Sequence, residues 1–188
     1  MNSLDGMESR ALKPGDTVLT QGTGGVSLFA LQFAKPAGAR VIATTSSDSK
    51  AEILRNLGAN HAINYKEDPN WGETARSLTS DNLGVHHILE IGGPNTLSQS
   101  FKAIKMDGVI SIAGFMVGYS KNQPSFVECL SHICTARGVL AGSRQLFQEM
   151  NAAIDANAIK PVVDEKLFAF EDIGEAYQYM VSMLWSRL

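Results

Sequence analysis

A glycine-rich turn between a predicted strand and a predicted helix constrains the fold of this chain most strongly. Residues 17–35 read TVLTQGTGGVSLFALQFAK, a short β-rich run followed by three glycines and an apolar helical pattern. Glycine lets the backbone bend sharply and approach a pyrophosphate, whose charge meets the free N–H groups of the helix. The spacing is Gly22-x-Gly24-x-x-Ser27, so a serine replaces the glycine that permits close helix–strand packing. A tight turn without a ligand is the alternative.

Apolar and β-branched runs alternate with helical patterns along the rest of the chain. The predicted strands cover Thr17–Gln21, 40–44, 62–65, 86–90, 109–113 and 139–141. The predicted helices cover 25–37, 48–57, 71–78, 95–104, 125–134 and Arg144–Ala156. This alternation indicates an α/β fold with a doubly wound, six-stranded parallel sheet of the Rossmann type. In the first helix we expect a stripe at three- and four-residue spacing to face the sheet, formed by Val26, Phe29, Ala30, Phe33 and Ala34.

Ligands bind such sheets at the carboxyl ends of the strands, where the strand order reverses. Four loops follow those strand ends in this sequence, and three of them carry glycine. The candidate cofactor-binding residues in these loops are Gly22, Thr23, Gly24, Gly25, Val26, Ser46, Ser47, Gly92, Gly93, Gly114 and Phe115. Their expected convergence on one edge favours a dinucleotide site over an empty turn.

The loop after the second strand indicates which dinucleotide is bound. An acidic residue there would favour NAD, but the strand ends in two threonines followed by Ser46 and Ser47. Asp48 comes next, and its carboxylate is committed to backbone N–H groups if it caps the following helix. The serine hydroxyls and the Lys50 ammonium would suit a 2′-phosphate, so the sequence favours NADP(H). The alternative is a solvated helix start with a surface lysine.

Composition excludes several other classes of protein. The net charge is −3, and no run of lysine or arginine occurs, which argues against nucleic acid or an acidic membrane as the partner. The sequence contains no run of about 18 apolar residues, the length needed to span a bilayer. Two cysteines provide no disulfide framework, so a reducing compartment such as the cytoplasm is expected. The last residues, Ser186, Arg187 and Leu188, are a variant of the peroxisomal Ser-Lys-Leu address, with a chance match as the competing explanation.

Several longer motifs now identify a family resemblance. They are KPGDTVL at 13–19, GTGGVS at 22–27, LGA at 57–59 with INYK at 63–66, and GVIS at 108–111. With these motifs the chain resembles the cofactor-binding half of the medium-chain dehydrogenase/reductase superfamily, in its zinc-independent quinone-oxidoreductase and alcohol-dehydrogenase-like branch. The resemblance covers roughly 12–181. It implies that Gly24, Gly25 and Val26 adjoin the pyrophosphate, while Ser46 and Lys50 hold the 2′-phosphate.

The resemblance also assigns roles at the far ends of the cofactor. Tyr65 matches a tyrosine that flanks the adenosine phosphate in relatives, although a half-buried aromatic at a strand end is the simpler alternative. The glycines at 92, 93 and 114 and the adjacent Phe115 match loops that pass the nicotinamide. Family members often pair two sheets through the strand that matches Val139 to Ala141, which implies a homodimer.

Complete family members carry a β-rich catalytic domain before the region that this chain resembles. We therefore expect a polar leader at 1–12, a dinucleotide-binding domain at 13–158, and at 159–188 a remnant of the return into a catalytic domain that this sequence lacks. The apolar face of a helix at 170–180 must be buried elsewhere, so we expect it to pack on its own sheet or across a dimer.

Few side chains in the sequence suggest chemistry of their own. His86 and His87 begin the fourth strand, opposite the cofactor edge, and are interpreted as structural or solvated, while His61 is expected on the surface before the third strand. Cys129, His132 and Cys134 cannot be brought together well on one helix, so no metal site is predicted. No catalytic residue can be assigned.

Three functions are compatible with this sequence. The first is NADPH-dependent reduction of a small alkene, quinone or carbonyl compound, which the nicotinamide itself would carry out. The second is a module that binds NADP(H) without turnover. The third is a domain recruited to a non-redox lyase or isomerase step.

Overall fold

A parallel sheet of six strands organises the chain. In the computed structural model, residues 10–114, 121 and 123–181 are described. The strands follow the order β3-β2-β1-β4-β5-β6, and every neighbouring pair is parallel. The strand order reverses between β1 and β4, as in a doubly wound dinucleotide-binding sheet. The predicted fold class is therefore confirmed. Phe115 and the final tripeptide at 186–188 lie outside the described residues.

The elements alternate along the chain in the predicted manner. The strands are β1 Thr17–Gln21, β2 Arg40–Thr45, β3 His61–Asn64, β4 Val85–Glu90, β5 Ile104–Ile112 and β6 Thr135–Gly138. The helices are α1 Gly25–Ala34, α2 Asp48–Asn56, α3 Trp71–Ser77, α4 Pro94–Ala103, α5 Val127–Ser131, α6 Arg144–Ala156 and α7 Ile173–Val181. Single 3-10 turns occupy Ser80–Asn82 and Phe170–Asp172.

Two apolar cores cover the two faces of the sheet. Alternate strand residues point to opposite faces, so Val18 joins the core formed with α1 and α2, while Leu19 joins the core formed with α3 and α4. Leu31 and Leu54 fill the first core, and Phe101 packs in the second. Burial of both faces explains why every residue of β1 is buried, including its polar ones.

The sixth strand lies earlier than predicted. It spans Thr135–Gly138 and pairs with β5 in the register Val109↔Thr135 to Ile112↔Gly138. Val139 adds one further hydrogen bond, from its N–H to the Ile112 carbonyl oxygen at 2.8 Å, but Leu140 is outside the strand. The prediction at 139–141 was wrong because it followed apolar character, whereas an edge strand is selected by its pairing register.

The buried face of α1 also differs from the prediction. Its buried residues are Ser27, Leu28, Leu31 and Ala34, whereas Val26 is 58% exposed. Phe29 and Phe33 instead stack on one another on the flank of the helix, with ring centroids 6.1 Å apart. Because apolar residues surround α1 on several sides, its periodicity alone could not select the face that tertiary packing buries.

The segment from α5 to α7 has no fully buried residue in its described helices and strand. The helix α7 was expected to pack on its own sheet or across a dimer. The first alternative is wrong, because Ile173, Tyr177 and Met180 are all more than half exposed. Within the described part of the chain, no helix has the length and apolar character needed to cross a membrane.

Candidate dinucleotide-binding site

The loops at the carboxyl edge of the sheet are joined directly to one another. The Gly22 N–H donates to the Thr44 carbonyl oxygen at 2.8 Å, which joins the β1 and β2 loops. The Gln21 side-chain oxygen accepts from the N–H groups of Ile91 and Gly92 at 3.1 and 3.2 Å, which joins β1 to the β4 loop. The Ala113 N–H donates to the Glu90 carbonyl oxygen at 2.9 Å, which adds the β5 loop. The predicted convergence of four loops is therefore observed.

The glycine turn after β1 leaves an open approach to the start of α1. Gly22 has a φ of +77°, a conformation that other residues rarely adopt. Gly24 is the N-cap of α1 and has an extended backbone, and a Cβ built on it would meet nothing within 4 Å. The first N–H groups of a helix have no acceptor inside the helix. Gly25 begins the helix at this opening, Val26 is exposed there, and the adjacent Thr23 is buried.

Ser27 replaces the third glycine without loosening the turn. Its side chain is 1% exposed, and its hydroxyl donates to the Gln21 carbonyl oxygen at 2.5 Å. That carbonyl belongs to the last residue of β1, so the hydrogen bond fixes the helix against the strand. A small side chain with its own donor therefore achieves the close packing that glycine provides in other proteins of this type.

The loop after β2 places the predicted polar residues together at the start of α2. Ser47 is the N-cap, and its hydroxyl lies 3.2 Å from that of Ser49. Asp48 does not cap the helix, because its Oδ1 accepts from the Asn64 side-chain amide at 3.2 Å. The conditional assignment of Asp48 as a cap is therefore wrong. The Asp48 carboxylate instead contacts the last residue of β3. Ser46, at the start of the same loop, is half-buried.

Two lysines share this corner of the site. Burial lowers the pKa of Lys50, and the positive charge of Lys66 lowers it further. Lys66 was noted in the sequence only as part of a family motif, and its charge at Lys50 is a finding of the tertiary structure. Tyr65 lies between β3 and Lys66, is 42% exposed, and donates its backbone N–H to the Thr45 carbonyl oxygen. The corner therefore combines hydroxyl donors and two ammonium groups with the carboxylate of Asp48.

The glycines on the other side of the site are required by close contacts or by a positive backbone φ. A Cβ on Gly92 would collide with the Thr96 side chain, and a Cβ on Gly114 would lie 3.2 Å from the Ile91 carbonyl oxygen. Gly93 is the N-cap of α4 and has a φ of +84°. These positions keep the β4 and β5 loops close together.

A buried carboxylate that sequence reasoning missed holds the β4 loop. Glu90 is 0% exposed, and its Oε1 accepts from the Gly93 N–H at 3.0 Å and the Thr96 hydroxyl at 2.5 Å. Its Oε2 accepts from the Gln21 amide at 2.8 Å and the Ser100 hydroxyl at 2.5 Å. Four donors thus satisfy one carboxylate. The signal available in the sequence was a pair of long polar residues, Gln21 and Glu90, each at the end of a predicted strand.

A cavity of about 470 Å³ opens beside this loop. Its lining is mostly apolar and comes from the β4, β5 and β6 ends; it includes Leu97, Ile112, Gly114, Pro124, Val139 and Leu140. Of its described lining residues, Glu90 is the sole ionisable one, and its oxygens already accept the four hydrogen bonds above. The cavity is therefore suited to a flat or apolar group rather than to a charged one.

The histidines singled out in the sequence lie away from this edge. His86 Nδ1 accepts from the Thr17 N–H at 2.9 Å, and its Nε2 lies 3.4 Å from the Asp16 carboxylate. His87 Nε2 lies 3.6 Å from the other Asp16 oxygen. This cluster joins the amino-terminal ends of β1 and β4, as the structural interpretation expected. His61 is the first residue of β3 and half-buried, rather than a surface residue before the strand.

Cys129, His132 and Cys134 belong to α5 and the turn that follows it. No group of three or more histidine, cysteine or acidic residues suited to a metal ion occurs within 10–114, 121 and 123–181. His132 instead stacks on Phe101, with ring centroids 5.2 Å apart. The three residues therefore connect the edge of the sheet to its core.

Comparison with known proteins agrees with this geometry. The profile of a family described as zinc-binding dehydrogenase matches residues 25–156. A zinc-type alcohol dehydrogenase-like protein from Schizosaccharomyces pombe is 46% identical over 189 residues, covering 99% of this chain and 53% of the relative. The chain belongs to this dehydrogenase family, within the medium-chain dehydrogenase/reductase superfamily. It spans about half the length of the curated relatives that it matches.

Solved structures extend the comparison to the fold. A Sinorhizobium meliloti protein assigned as an alcohol dehydrogenase superposes with a TM-score of 0.82 at 40% identity, covering 91% of this chain and 49% of that one. An NAD-dependent alcohol dehydrogenase gives 0.81 at 30% identity, covering 91% and 49%. A crotonyl-CoA carboxylase/reductase in complex with NADP gives 0.80 at 26% identity, covering 95% and 50%.

A further relative is named for its cofactor. The NADPH-dependent alkenal/one oxidoreductase of Arabidopsis thaliana chloroplasts is 28% identical, covering 94% of this chain and 40% of the relative. Relatives of this chain therefore include proteins described with NAD and proteins described with NADP(H). The comparison supports a nicotinamide cofactor in general.

Proposed function

We propose that this chain is the cofactor-binding unit of an NADP(H)-dependent oxidoreductase that reduces a small alkene, quinone or carbonyl compound. One observation carries the proposal. The turn from Gly22 to Val26 leaves open space at the start of α1, on the edge where four glycine- and hydroxyl-bearing loops are joined by hydrogen bonds.

The pyrophosphate would lie against the glycine turn. The N–H groups of the first turn of α1 are unpaired within the helix, and the helix dipole favours a negative charge at that end. Gly24 has no side chain to occupy the approach. Gly25 and Val26 then contribute backbone N–H groups, as the family resemblance implies.

The 2′-phosphate would lie at the corner formed by Ser46, Ser47 and Lys50. The lowered pKa of Lys50 reflects burial and the nearby charge of Lys66, and a dianionic phosphate would relieve the repulsion between the two ammonium groups. NAD(H) has a hydroxyl at the same place and would leave that repulsion uncompensated. This argument supports a preference for NADP(H).

The nicotinamide would point toward the apolar cavity between the β4, β5 and β6 ends. When bound, the nicotinamide supplies the hydride, so the protein needs chiefly to position it and to exclude water. The loop at 91–93 is held for that purpose by Gln21 and Glu90. An apolar lining suits an uncharged substrate with a conjugated or aromatic group.

Cofactor titration with a substituted glycine turn tests the proposal. NADPH fluorescence should rise on binding to the wild-type chain. Gly24→Ala places a methyl group in the pyrophosphate approach without meeting any protein atom, so the affinity should fall roughly tenfold, equivalent to about 1.4 kcal/mol. Gly174→Ala is the matched control, because its Cβ also meets nothing within 4 Å but lies on α7. No binding by the wild-type chain at millimolar NADPH or NADH would overturn the proposal.

Substitution of the two lysines tests the cofactor preference. The double variant Lys50→Ala and Lys66→Ala should lose roughly tenfold or more in NADPH affinity and little in NADH affinity, because only NADPH carries the phosphate. Lys13→Ala, an exposed lysine before β1 at the other edge of the sheet, should change neither. Equal losses for both cofactors would show that the lysines act without reading the 2′-phosphate.

A substrate panel separates the proposed reductase from the non-catalytic module and the non-redox enzyme. Oxidation of NADPH with enones, quinones and aldehydes should be followed by the loss of absorbance of the reduced nicotinamide. Cofactor binding without turnover of any compound would support the binding module. Conversion of a substrate without cofactor would support a lyase or isomerase step.

We also propose a homodimer that pairs two copies through the β6 edge. Among the described strands, β6 pairs with β5 alone, and Val139 and Leu140 next to it are exposed. Light scattering should give twice the chain mass. Ala136→Pro should reduce it to one chain mass, because strand alternation from the Val139 N–H, which donates to Ile112, directs the Ala136 N–H away from β5. A wild-type monomer at high micromolar concentration would contradict this assembly.

A further inference from the structure

The turn that ends α5 has the hydrogen bonds of a Schellman motif. The Cys134 N–H donates to the Cys129 carbonyl oxygen at 3.0 Å, and the Ile133 N–H donates to the Leu130 carbonyl oxygen at 3.2 Å. Ile133 has a φ of +48°, the left-handed conformation that such a motif requires at its penultimate position. A β-branched residue is rare in that conformation, so surrounding contacts must hold it there.

One such contact comes from the neighbouring strand. The Asp107 N–H, in the irregularly paired part of β5, donates to the Ile133 carbonyl oxygen at 2.7 Å. Asp107 is itself left-handed, with a φ of +60°. The two left-handed residues therefore fix one another, and the turn is attached to the sheet as well as to its own helix.

The motif brings the two cysteines of the sequence together. A Schellman motif ordinarily places a pair of apolar side chains in contact, one from the third-last helical position and one from the residue after the left-handed position. Here these positions are Cys129 and Cys134, so the turn places the two thiol side chains next to one another. Both side chains pack against the core under the sheet. The apolar contact of an ordinary motif is thus replaced by a thiol pair.

The thiol pair is accessible from outside. Both cysteines are free and half-buried, and they line a cavity of about 270 Å³ together with Asp107, Leu130, Ile133 and Thr135. This volume is ample for a molecule the size of hydrogen peroxide. The cavity is separate from the one at the carboxyl edge, because the two share no lining residue.

We propose that Cys129 and Cys134 form a redox-active dithiol that closes to an intramolecular disulfide when it meets hydrogen peroxide. The Cys129 thiolate attacks one peroxide oxygen, the O–O bond breaks, and the products are a sulfenic acid and hydroxide, which takes up a proton as water. The Cys134 sulfur then attacks the Cys129 sulfur, the S–O bond breaks, and the second oxygen leaves as water with the thiol proton. Two thiols and one peroxide thus give one disulfide and two waters.

The order of attack follows from the environments of the two thiols. Burial raises the pKa of Cys134 to about 12, and the neighbouring Cys129 contributes to the rise. The nucleophile in such chemistry is the thiolate, so Cys134 is the poorer first attacker. Cys129 is therefore the peroxide-reactive residue, and Cys134 resolves the sulfenic acid because the turn already holds it alongside.

Oxidation of the intact chain tests this inference independently of cofactor binding. The reduced chain is treated with a series of hydrogen peroxide concentrations, and the reaction is stopped in denaturant with excess maleimide. The mass of the chain is then measured by mass spectrometry. We expect one product that has lost two hydrogen atoms and accepts no maleimide, with both thiols recovered after dithiothreitol. The reaction should run roughly tenfold faster in the folded chain than in urea, since the turn pre-orients the thiols.

Single variants identify the role of each cysteine. Cys134→Ser should accumulate a sulfenic acid at Cys129 that dimedone traps, whereas Cys129→Ser should stay reduced over the same time. Ile133→Gly keeps the left-handed residue without its strain and should still form the disulfide. Equal rates in the folded and unfolded wild-type chain, covalent dimers, or sulfinic acid at either cysteine as the main product would each overturn the proposal.

Discussion

The two parts of the chain, 16–112 and 126–181, solve the problem of burying apolar surface differently. In the first part, helices cover both faces of the sheet, and residues such as Leu19 and Ile88 are 0% and 1% exposed. In the second part, Leu140 is 101% exposed and Phe170 84%. The second part is the more apolar of the two in composition, so its exposure does not come from a polar sequence. The first part supplies its own core, whereas the second leaves many of its apolar side chains exposed.

Core truncation should produce the largest contrast between the parts. Leu19→Ala removes a fully buried side chain from the central strand and should lower the free energy of unfolding by about 2–5 kcal/mol. Leu140→Ala, the same substitution in the second part, should change it by no more than about 0.5 kcal/mol. Urea denaturation followed by circular dichroism measures both. Similar losses for the two variants would show that the second part is buried in solution.

Neutralising the buried carboxylate should have the next largest effect. Both Glu90 oxygens accept hydrogen bonds, and Glu90→Gln replaces one oxygen with an NH2 group that faces donors. This substitution should lower the free energy of unfolding by about 1–3 kcal/mol. The matched control is Glu149→Gln in α6, whose carboxylate accepts an exposed hydrogen bond from Gln145. The control should change stability by at most about 0.5 kcal/mol. An unaffected Glu90→Gln variant would mean that the network is not maintained in solution.

Acidification should destabilise the first part through the cluster at the amino-terminal edge. Burial lowers the pKa of His86 and of His87 below 6.5, although Asp16 opposes that shift. Burial raises the pKa of Asp16, but the Lys13 N–H and the Arg10 guanidinium outweigh it and bring the net value below 3.8. For all three groups the unfolded chain binds protons at a higher pH than the folded chain, so stability falls as protons are added.

The pH window follows from these directions. Stability should be fully present above pH 6.5, should fall as the pH drops through the folded-state pKa values of the two histidines, and should fall again below 3.8 as Asp16 is protonated. His86→Asn retains an acceptor for the Thr17 N–H but does not titrate. The thermal midpoint of this variant should therefore depend less on pH between about 7 and 5, the range around the ordinary histidine pKa of about 6.5. If the thermal midpoint of the variant changed with pH as steeply as that of the wild type, His86 would not contribute to the acid destabilisation.

The smallest effect on stability is expected from an exposed aromatic residue of the second part. Phe170→Ser should change the free energy of unfolding by no more than about 0.5 kcal/mol, since the ring is mostly exposed. It should nevertheless reduce the binding of a hydrophobic dye such as ANS, because it removes part of the apolar surface. A large loss of stability would place Phe170 in a core.

Local pattern was sufficient where an element is defined by its own residues. The glycine turn, β1 and α6 lie where they were predicted, because turn chemistry and periodicity act over a few residues. The four candidate loops could be predicted to lie together, because the carboxyl ends of parallel strands lie on one edge of a sheet. The position of β6 was missed, since that choice depends on its pairing with β5 rather than on its own apolar content.

The sequence by itself thus determined the strand–helix alternation, the glycine approach to α1 and the edge on which a cofactor would lie. The tertiary structure alone decided that Gln21 meets Glu90 across 69 residues, that Lys66 adds its charge to Lys50, and which face of α1 is buried. The physical reason is the separation in sequence over which each kind of interaction acts. Turn and helix propensities are set by neighbours in sequence, whereas a buried carboxylate or a paired charge is stabilised only by groups that folding brings together.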